Sequence, residues 1–259
     1  MSDMLIYDPE VVEGALLFGR FAYPPNRLGY CGPAESRSVY AYVAERRVDE
    51  GFFRLARDFQ AAYFYLSLIA YSNGYRNPFH PKVVEAYWIG NELLDRVTPR
   101  KFYDALTEKF KKRMPDRAFA WLVGKLEHGA HPHHNFHVFD VYTRTGALKS
   151  ARPDIALEHM DKCRISWGTV EAVFGGQVAV RRQPLVLRGD RLQLGDPEVV
   201  LVDLAEGDVS GVPLEVKPGD TVAVHWDWAA HVLTPMQLRR LKAETELTVR
   251  LANEALALA

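Results

Sequence analysis

The feature that most constrains the fold is a change of hydrophobic period near Cys163. Before residue 128, apolar residues recur at three- and four-residue spacing, as in Val11–Phe21 and Phe52–Ile69, which is the period of an amphipathic helix. From Cys163 onward, short runs rich in β-branched residues are separated by turn signals such as Gly175-Gly176 and Pro218-Gly219-Asp220, a pattern typical of short strands. The two periods predict an α+β chain with two differently built parts.

These patterns predict a division of the chain into three parts. Residues 1–128 are expected to form an N-terminal α-helical domain of five or six packed helices, and residues 129–162 a His-rich connecting segment. Residues 163–259 are expected to form a small antiparallel β-barrel of OB-like type, with a C-terminal helix that begins near Thr234-Pro235. At 259 residues, the chain is long enough for each domain to bury its own core.

Composition and the ends of the chain exclude several classes of protein. A formal net charge of −1 argues against a dedicated nucleic-acid binder, which normally carries a basic excess. No apolar run approaches the roughly 20 residues that span a bilayer, and the acidic start lacks the features of a signal peptide. The two cysteines, Cys31 and Cys163, are then expected to be thiols in a reducing compartment. We therefore predict a cytoplasmic protein without nucleic-acid or membrane partners.

The C-terminal part contains two motifs in a recognisable order. Cys163-Arg-Ile-Ser-Trp-Gly168 precedes a predicted strand pair, and about 60 residues later Pro218-Gly219-Asp220 opens a strand that ends in Val224-His225. With the closing helix, this order resembles the HypC/HupF family of NiFe-hydrogenase assembly chaperones over roughly residues 160–250. The N-terminal half is similar to an uncharacterised bacterial family in which the same helical segment precedes a chaperone-like barrel, a similarity that implies no activity.

The resemblance implies a role for Cys163 and His225. It implies that they hold an iron fragment with cyanide and carbonyl ligands, and that the cysteine also helps to dock partner proteins. A soft thiolate and a borderline imidazole suit low-valent iron. The expected partners are the hydrogenase large subunit and other maturation proteins, so the chain is expected to be an assembly chaperone and not an enzyme. The alternatives are a small buried hydrophobic role for Cys163 and a hydrogen-bonded structural role for His225.

A histidine cluster offers a second candidate site. Five of the residues 128–137 are histidines, and neutral imidazole is the commonest metal ligand. On a helix, His133 and His137 would share one face, so they are expected, with His134, to bind zinc, iron or nickel. The cluster lacks the glutamate of a His-Glu-x-x-His motif, so metallohydrolase chemistry is unsupported. The simpler interpretation is that one or two of these histidines hydrogen-bond the connecting segment and that the rest are solvated.

Cys31 lies in the most irregular part of the N-terminal half. The loop Pro24–Pro33 is rich in glycine and proline, and loops of this kind often carry function. Cys31 is expected to complete a site either with the histidine cluster or with Cys163, unless it is an inert structural thiol. Two alternatives to the assembly role follow, namely a metalloenzyme that uses the cluster of residues 128–137 with Cys31, and a protein-interaction module without metal.

Overall fold

The computed structural model describes residues 8–204 and 214–257 and has an α+β fold. Its helices are α1 Pro9–Arg27, α2 Ser36–Ala44, α3 Glu50–Arg57, α4 Gln60–Asn73, α5 Pro81–Trp88, α6 Glu92–Asp95, α7 Pro99–Phe110, α8 Asp116–Gly124, α9 His134–Arg144, α10 Pro153–Cys163 and α11 Pro235–Ala257. Its strands are β1 Ser166–Phe174, β2 Gln177–Arg182, β3 Leu185–Arg188, β4 Arg191–Leu194, β5 Glu198–Asp203, β6 Thr221–His225 and β7 Trp228–Val232. None of the helices in these two ranges combines the length and apolar character needed to cross a membrane.

The N-terminal part is divided more finely than predicted. Eight α-helices lie before residue 128 in the described part of the chain, against the five or six that the sequence predicts. The difference comes from pieces such as α6, which has four residues and is too short to show a helical period. α7 begins at a typical helix-start sequence, because the Thr98 hydroxyl accepts a hydrogen bond from the Lys101 N–H at 3.3 Å and Pro99 occupies the first helical position.

The segment 129–162 is not an irregular connection, as the sequence suggested, but contains two helices. α9 packs along α11, and α10 packs against the β3–β4 hairpin. Pro153 does not interrupt regular structure here. It begins α10, at a position where a missing N–H costs nothing. α9 buries Phe136, Val138 and Phe139. This segment is therefore part of the folded core.

The strands form a mixed five-stranded sheet and a separate hairpin. The order in the sheet is β5-β2-β1-β6-β7, with antiparallel neighbours, and one parallel residue pair, Asp203 with Trp228, connects β5 to β7. β3 and β4 pair only with each other. The strands of the five-stranded sheet contribute a buried cluster of small apolar side chains, which includes Val178, Val202 and Val222. One face of the sheet is therefore packed with apolar side chains, most of them valines.

The helices and the sheet share one hydrophobic core. Phe18 and Trp88 from the N-terminal helices belong to the same buried cluster as Ile165 and Trp228 of the sheet region and Leu241 of α11. Cys163, the last residue of α10, and His225, the last residue of β6, lie where the helices meet the sheet. Side chains that are distant in sequence are thereby brought together at this junction.

Gly14 allows α1 to approach the start of α5 closely, so its replacement by alanine should be destabilising. A methyl group there would overlap the Phe79 carbonyl oxygen and lie 2.7 Å from the Pro81 nitrogen. Backbone atoms cannot move aside, so we expect Gly14→Ala to lower the free energy of unfolding by about 1–3 kcal/mol, measured by urea denaturation. In the control Gly124→Ala, the added methyl meets no atom within 4 Å, and stability should rise by about 0.4–1 kcal/mol. Equal effects of the two substitutions would contradict this packing.

Candidate metal centre

Three potential metal ligands meet where three elements end. His134 is the first residue of α9, Cys163 the last residue of α10, and His225 the last residue of β6. One ligand atom of each lies within 4.8 Å of the other two. Both histidines are buried and Cys163 is partly buried. Within residues 8–204 and 214–257, no other set of three or more His, Cys, Asp or Glu side chains is gathered so closely.

His225 has the hydrogen bonding of a metal-binding imidazole. Its Nδ1 lies 2.7 Å from the Phe21 carbonyl oxygen, and a carbonyl only accepts, so Nδ1 carries the proton. Nε2 then has a free lone pair, and this atom is buried without a hydrogen-bond partner. Burial lowers the pKa of His225 to about 4, so the imidazole is neutral at pH 7. Metal-bound histidines are held in this way, with the second nitrogen donating to a carbonyl.

His134 is held at both nitrogens. Nε2 lies 2.8 Å from the Cys163 carbonyl oxygen and Nδ1 lies 3.2 Å from the Tyr87 hydroxyl. Burial, followed by the nearness of His225, holds the pKa of His134 well below its usual value. Because a tyrosine hydroxyl both donates and accepts, Tyr87 would also hold the tautomer with the proton on Nδ1. In the structure Nε2 faces a carbonyl oxygen and therefore carries the proton. In the other tautomer, Nε2 would be free to bind a metal ion in place of its contact with the Cys163 carbonyl.

The Cys163 thiol is protonated when nothing is bound. Burial raises its pKa to about 12. The nearby Trp226 indole N–H lowers the pKa of Cys163 and so favours the thiolate. The geometry of this contact falls short of a hydrogen bond to the sulfur. A coordinated cation deprotonates a thiol outright. The thiolate at this position therefore depends on a bound cation.

Trp226 occupies an unusual backbone conformation beside the site. Trp226 and Asp227 have φ angles of 49° and 61°, the positive values that a two-residue hairpin turn requires and that are usually supplied by Asn-Gly. The Trp226 backbone N–H donates to the Lys162 carbonyl at 2.8 Å, and its ring stacks on Tyr30 at 4.3 Å. These contacts place the turn directly beside the candidate centre.

The structure separates the remaining members of the histidine cluster. His133 is the N-cap of α9, where its Nδ1 accepts from the Asn135 N–H at 3.1 Å. His137 packs against the Tyr65 ring, with centroids 5.7 Å apart. His131 pairs with Glu244 at 2.9 Å. Neither His133 nor His137 belongs to the gathered set, as far as the chain is described.

Cys31 lies outside the gathered group of ligand atoms. It is exposed as a residue and is a free thiol, as is Cys163. Its thiol is nevertheless close to protein atoms, because burial, followed by the nearness of Cys163, raises its pKa to about 12. Sequence reasoning missed the pairing of His134 with Cys163 and the contributions of Tyr87 and Trp226, because no local pattern connects these residues.

The buried histidines should make the protein less stable in mild acid. Burial, the largest cause, lowers the pKa of His133, His225 and His231 to about 4, while in the unfolded chain these side chains return to about 6.5. The unfolded chain then binds more protons, so the free energy of unfolding falls as the pH drops from about 6.5 to 4, by up to about 3 kcal/mol per imidazole. Urea denaturation with a chelator present, at several pH values, measures this. His231→Gln, away from the centre, should reduce the slope, and an unchanged slope would contradict the assignment.

Comparison with known proteins identifies a family. No curated protein and no solved structure matched the chain. The model of a family of unknown function, DUF6390, matches residues 10–259, which include both histidines and both cysteines described above. The chain therefore belongs to this family of unknown function, DUF6390.

Proposed function

We propose that the protein is a metal-binding assembly factor in which Cys163, His134 and His225 hold an iron fragment. The observation that carries the proposal is the gathering of these three ligand atoms within 4.8 Å of one another, beside the unpartnered Nε2 of buried His225. A buried polar atom without a partner requires an explanation, and a bound metal supplies one. The two residues that the HypC/HupF resemblance singles out, Cys163 and His225, are both members of this set.

The donor set favours a carrier role. One thiolate and two imidazoles suit zinc, iron and related transition metals and disfavour magnesium and calcium, which prefer oxygen. Three protein ligands leave coordination positions open for other groups. The outer contacts also fit, because the Phe21 carbonyl and the Tyr87 hydroxyl orient the two imidazoles, and such contacts strengthen metal affinity.

An unpaired indole N–H group favours a metal that carries small anionic ligands. Trp88 lies beside both histidines, with its ring 4.6 Å from that of His134 and 5.5 Å from that of His225. The indole nitrogen of Trp88 is buried and has no hydrogen-bond partner. Bare cations repel N–H donors, whereas the nitrogen end of an iron-bound cyanide accepts hydrogen bonds. This arrangement supports an iron fragment with cyanide and carbonyl ligands.

The remaining features of the proposal follow from the same resemblance. The five-stranded sheet corresponds to the OB-like antiparallel barrel of a chaperone of this type, and the proposed partners are an immature hydrogenase large subunit and other maturation proteins. Two free cysteines are consistent with work in the reducing cytoplasm. The helices contribute to this proposed site, because α9 supplies His134 and the N-terminal helices supply the contacts of Phe21, Tyr87 and Trp88.

An infrared spectrum tests the proposal. Tagged protein is purified anaerobically from a hydrogenase-producing host, beside Cys163→Ala and the matched surface variant His128→Gln. We expect iron together with cyanide and carbonyl stretches in the wild type and in His128→Gln, and neither in Cys163→Ala. Iron-loaded protein with a silent spectrum would overturn the iron-fragment role, and metal-free wild-type protein would leave only an interaction module.

A further inference from the structure

We propose that Cys31 is a fourth ligand of this centre and forms the solvent-facing side of a Cys2His2 site for a borderline divalent metal, zinc or iron. The inference rests on the proposed metal binding by Cys163, His134 and His225. It assigns a role to the loop after α1 that this three-residue set does not require. It also gives the N-terminal part of the chain a ligand of its own.

The loop that carries Cys31 is held in place by a buried amide. The Asn26 side chain donates to the Cys31 carbonyl at 2.8 Å and to the Pro33 carbonyl at 2.6 Å, and Asn26 is only 3% exposed. Gly29 and Gly32 take positive φ angles of 76° and 83°, which glycine adopts without strain. The position of Cys31 is thus specified, although the residue itself is exposed.

The residues next to Cys31 contact the residues next to the centre. Tyr30 stacks on Trp226 with ring centroids 4.3 Å apart, and Trp226 follows His225 in the chain. The Trp226 N–H in turn donates to the carbonyl of Lys162, which precedes Cys163. The loop therefore lies directly over the ends of β6 and α10.

The pKa of the Cys31 thiol agrees with this placement. Burial raises it most, and the nearness of Cys163 raises it further.

The unpartnered nitrogen of His225 points to a ligand in this space. His225 is fully buried and its Nε2 has no hydrogen-bond partner. Around a tetrahedral zinc ion, with bonds of about 2.0–2.3 Å, ligand atoms lie roughly 3.3–3.8 Å apart. The three inner atoms lie within 4.8 Å of one another, so a bound ion would require them to approach by at most about 1.0–1.5 Å, and Cys31 would be supplied by the loop after α1. With four protein donors, a six-coordinate iron would keep two positions for small ligands.

Cobalt spectroscopy counts the thiolates. Full-length wild type, Cys31→Ser and Cys163→Ser are titrated with Co²⁺ under reducing conditions, and the sulfur-to-cobalt charge-transfer band is recorded. We expect about half of the wild-type intensity in each variant, tetrahedral d–d bands in the wild type, and at least a tenfold faster release to a chelator from Cys31→Ser. Thermal unfolding verifies that Cys31→Ser is folded.

The outcomes separate this inference from the proposed function. Full intensity in Cys31→Ser with none in Cys163→Ser would overturn the fourth-ligand role and leave the three-residue centre intact. No cobalt binding by the wild type would overturn both. A Cys31–Cys163 disulfide that persists in the presence of cobalt and reductant, detected by mass spectrometry of the intact protein, would overturn the ligand role of Cys31.

Discussion

Replacing Cys163 with serine should lower the affinity for Zn²⁺ or Fe²⁺ by at least ~100-fold. Loss of an outer-shell partner alone typically costs about 10–100-fold in metal affinity, and Cys163 is proposed to bind the metal directly. Serine is close to cysteine in size, but its hydroxyl is a hard donor that stays protonated near neutral pH, whereas a coordinating thiol is deprotonated by the metal. Competition titration against a chromophoric chelator, under reducing conditions, measures the change.

The matched control for this experiment is His128→Gln. His128 belongs to the sequence cluster, but its side chain is 58% exposed and pairs with Glu254 at 3.3 Å, away from the gathered ligands. Its removal should leave the affinity within about twofold of wild type, because a surface pair of this kind is worth little. If His128→Gln weakens binding as much as Cys163→Ser, the histidine cluster is the site and the centre described above is not.

The largest loss of stability is expected from Asp161→Ala. The Asp161 carboxylate accepts hydrogen bonds from Arg164 at 2.9 Å, from Arg182 at 2.7 Å and from the Leu185 N–H at 2.8 Å. Arg164 is 1% exposed and Asp161 is 6% exposed. Removal of the carboxylate leaves two guanidinium groups without their buried partner. Breaking a buried pair in this way typically costs about 3–5 kcal/mol, which urea denaturation would show.

The control is the exposed aspartate of the same helix. Asp154 pairs with Arg152 at 3.1 Å, with both side chains 66% exposed. Exposed pairs contribute about 0–1 kcal/mol, so Asp154→Ala should change stability little. Asp161 and Arg164 flank Cys163, so Asp161→Ala should also weaken metal binding, while Asp154→Ala should not. Similar losses of stability in the two variants would contradict the assigned network.

The α+β character could be predicted because it depends on local periods. The helical spacing before residue 128 and the strand pattern after Cys163 both come from side chains near in sequence. Prolines are harder to interpret, because a proline can follow the end of a helix or stand at the start of one. Pro153 begins α10, so a segment whose sequence indicates a connection contains a helix.

The candidate centre could be predicted only in part. The HypC/HupF resemblance singles out Cys163 and His225, and the structure gathers them with His134. The sequence pattern groups His134 instead with His133 and His137, because helical spacing would place His133 and His137 on one face. His133 is instead the extended N-cap of α9, with φ −107° and ψ 150°. The approach of His134 and Cys31 to Cys163 depends on long-range packing, which no sequence period reports.

X-ray absorption at the metal edge tests the central claim most directly, namely that Cys163, His134 and His225 bind one metal ion. Anaerobically prepared wild-type protein with one equivalent of Zn²⁺ is compared with Cys163→Ser. We expect a first shell that contains sulfur at about 2.3 Å and imidazole nitrogen at about 2.0–2.1 Å, with one sulfur fewer in Cys163→Ser. A wild-type shell of oxygen and nitrogen without sulfur would contradict the account.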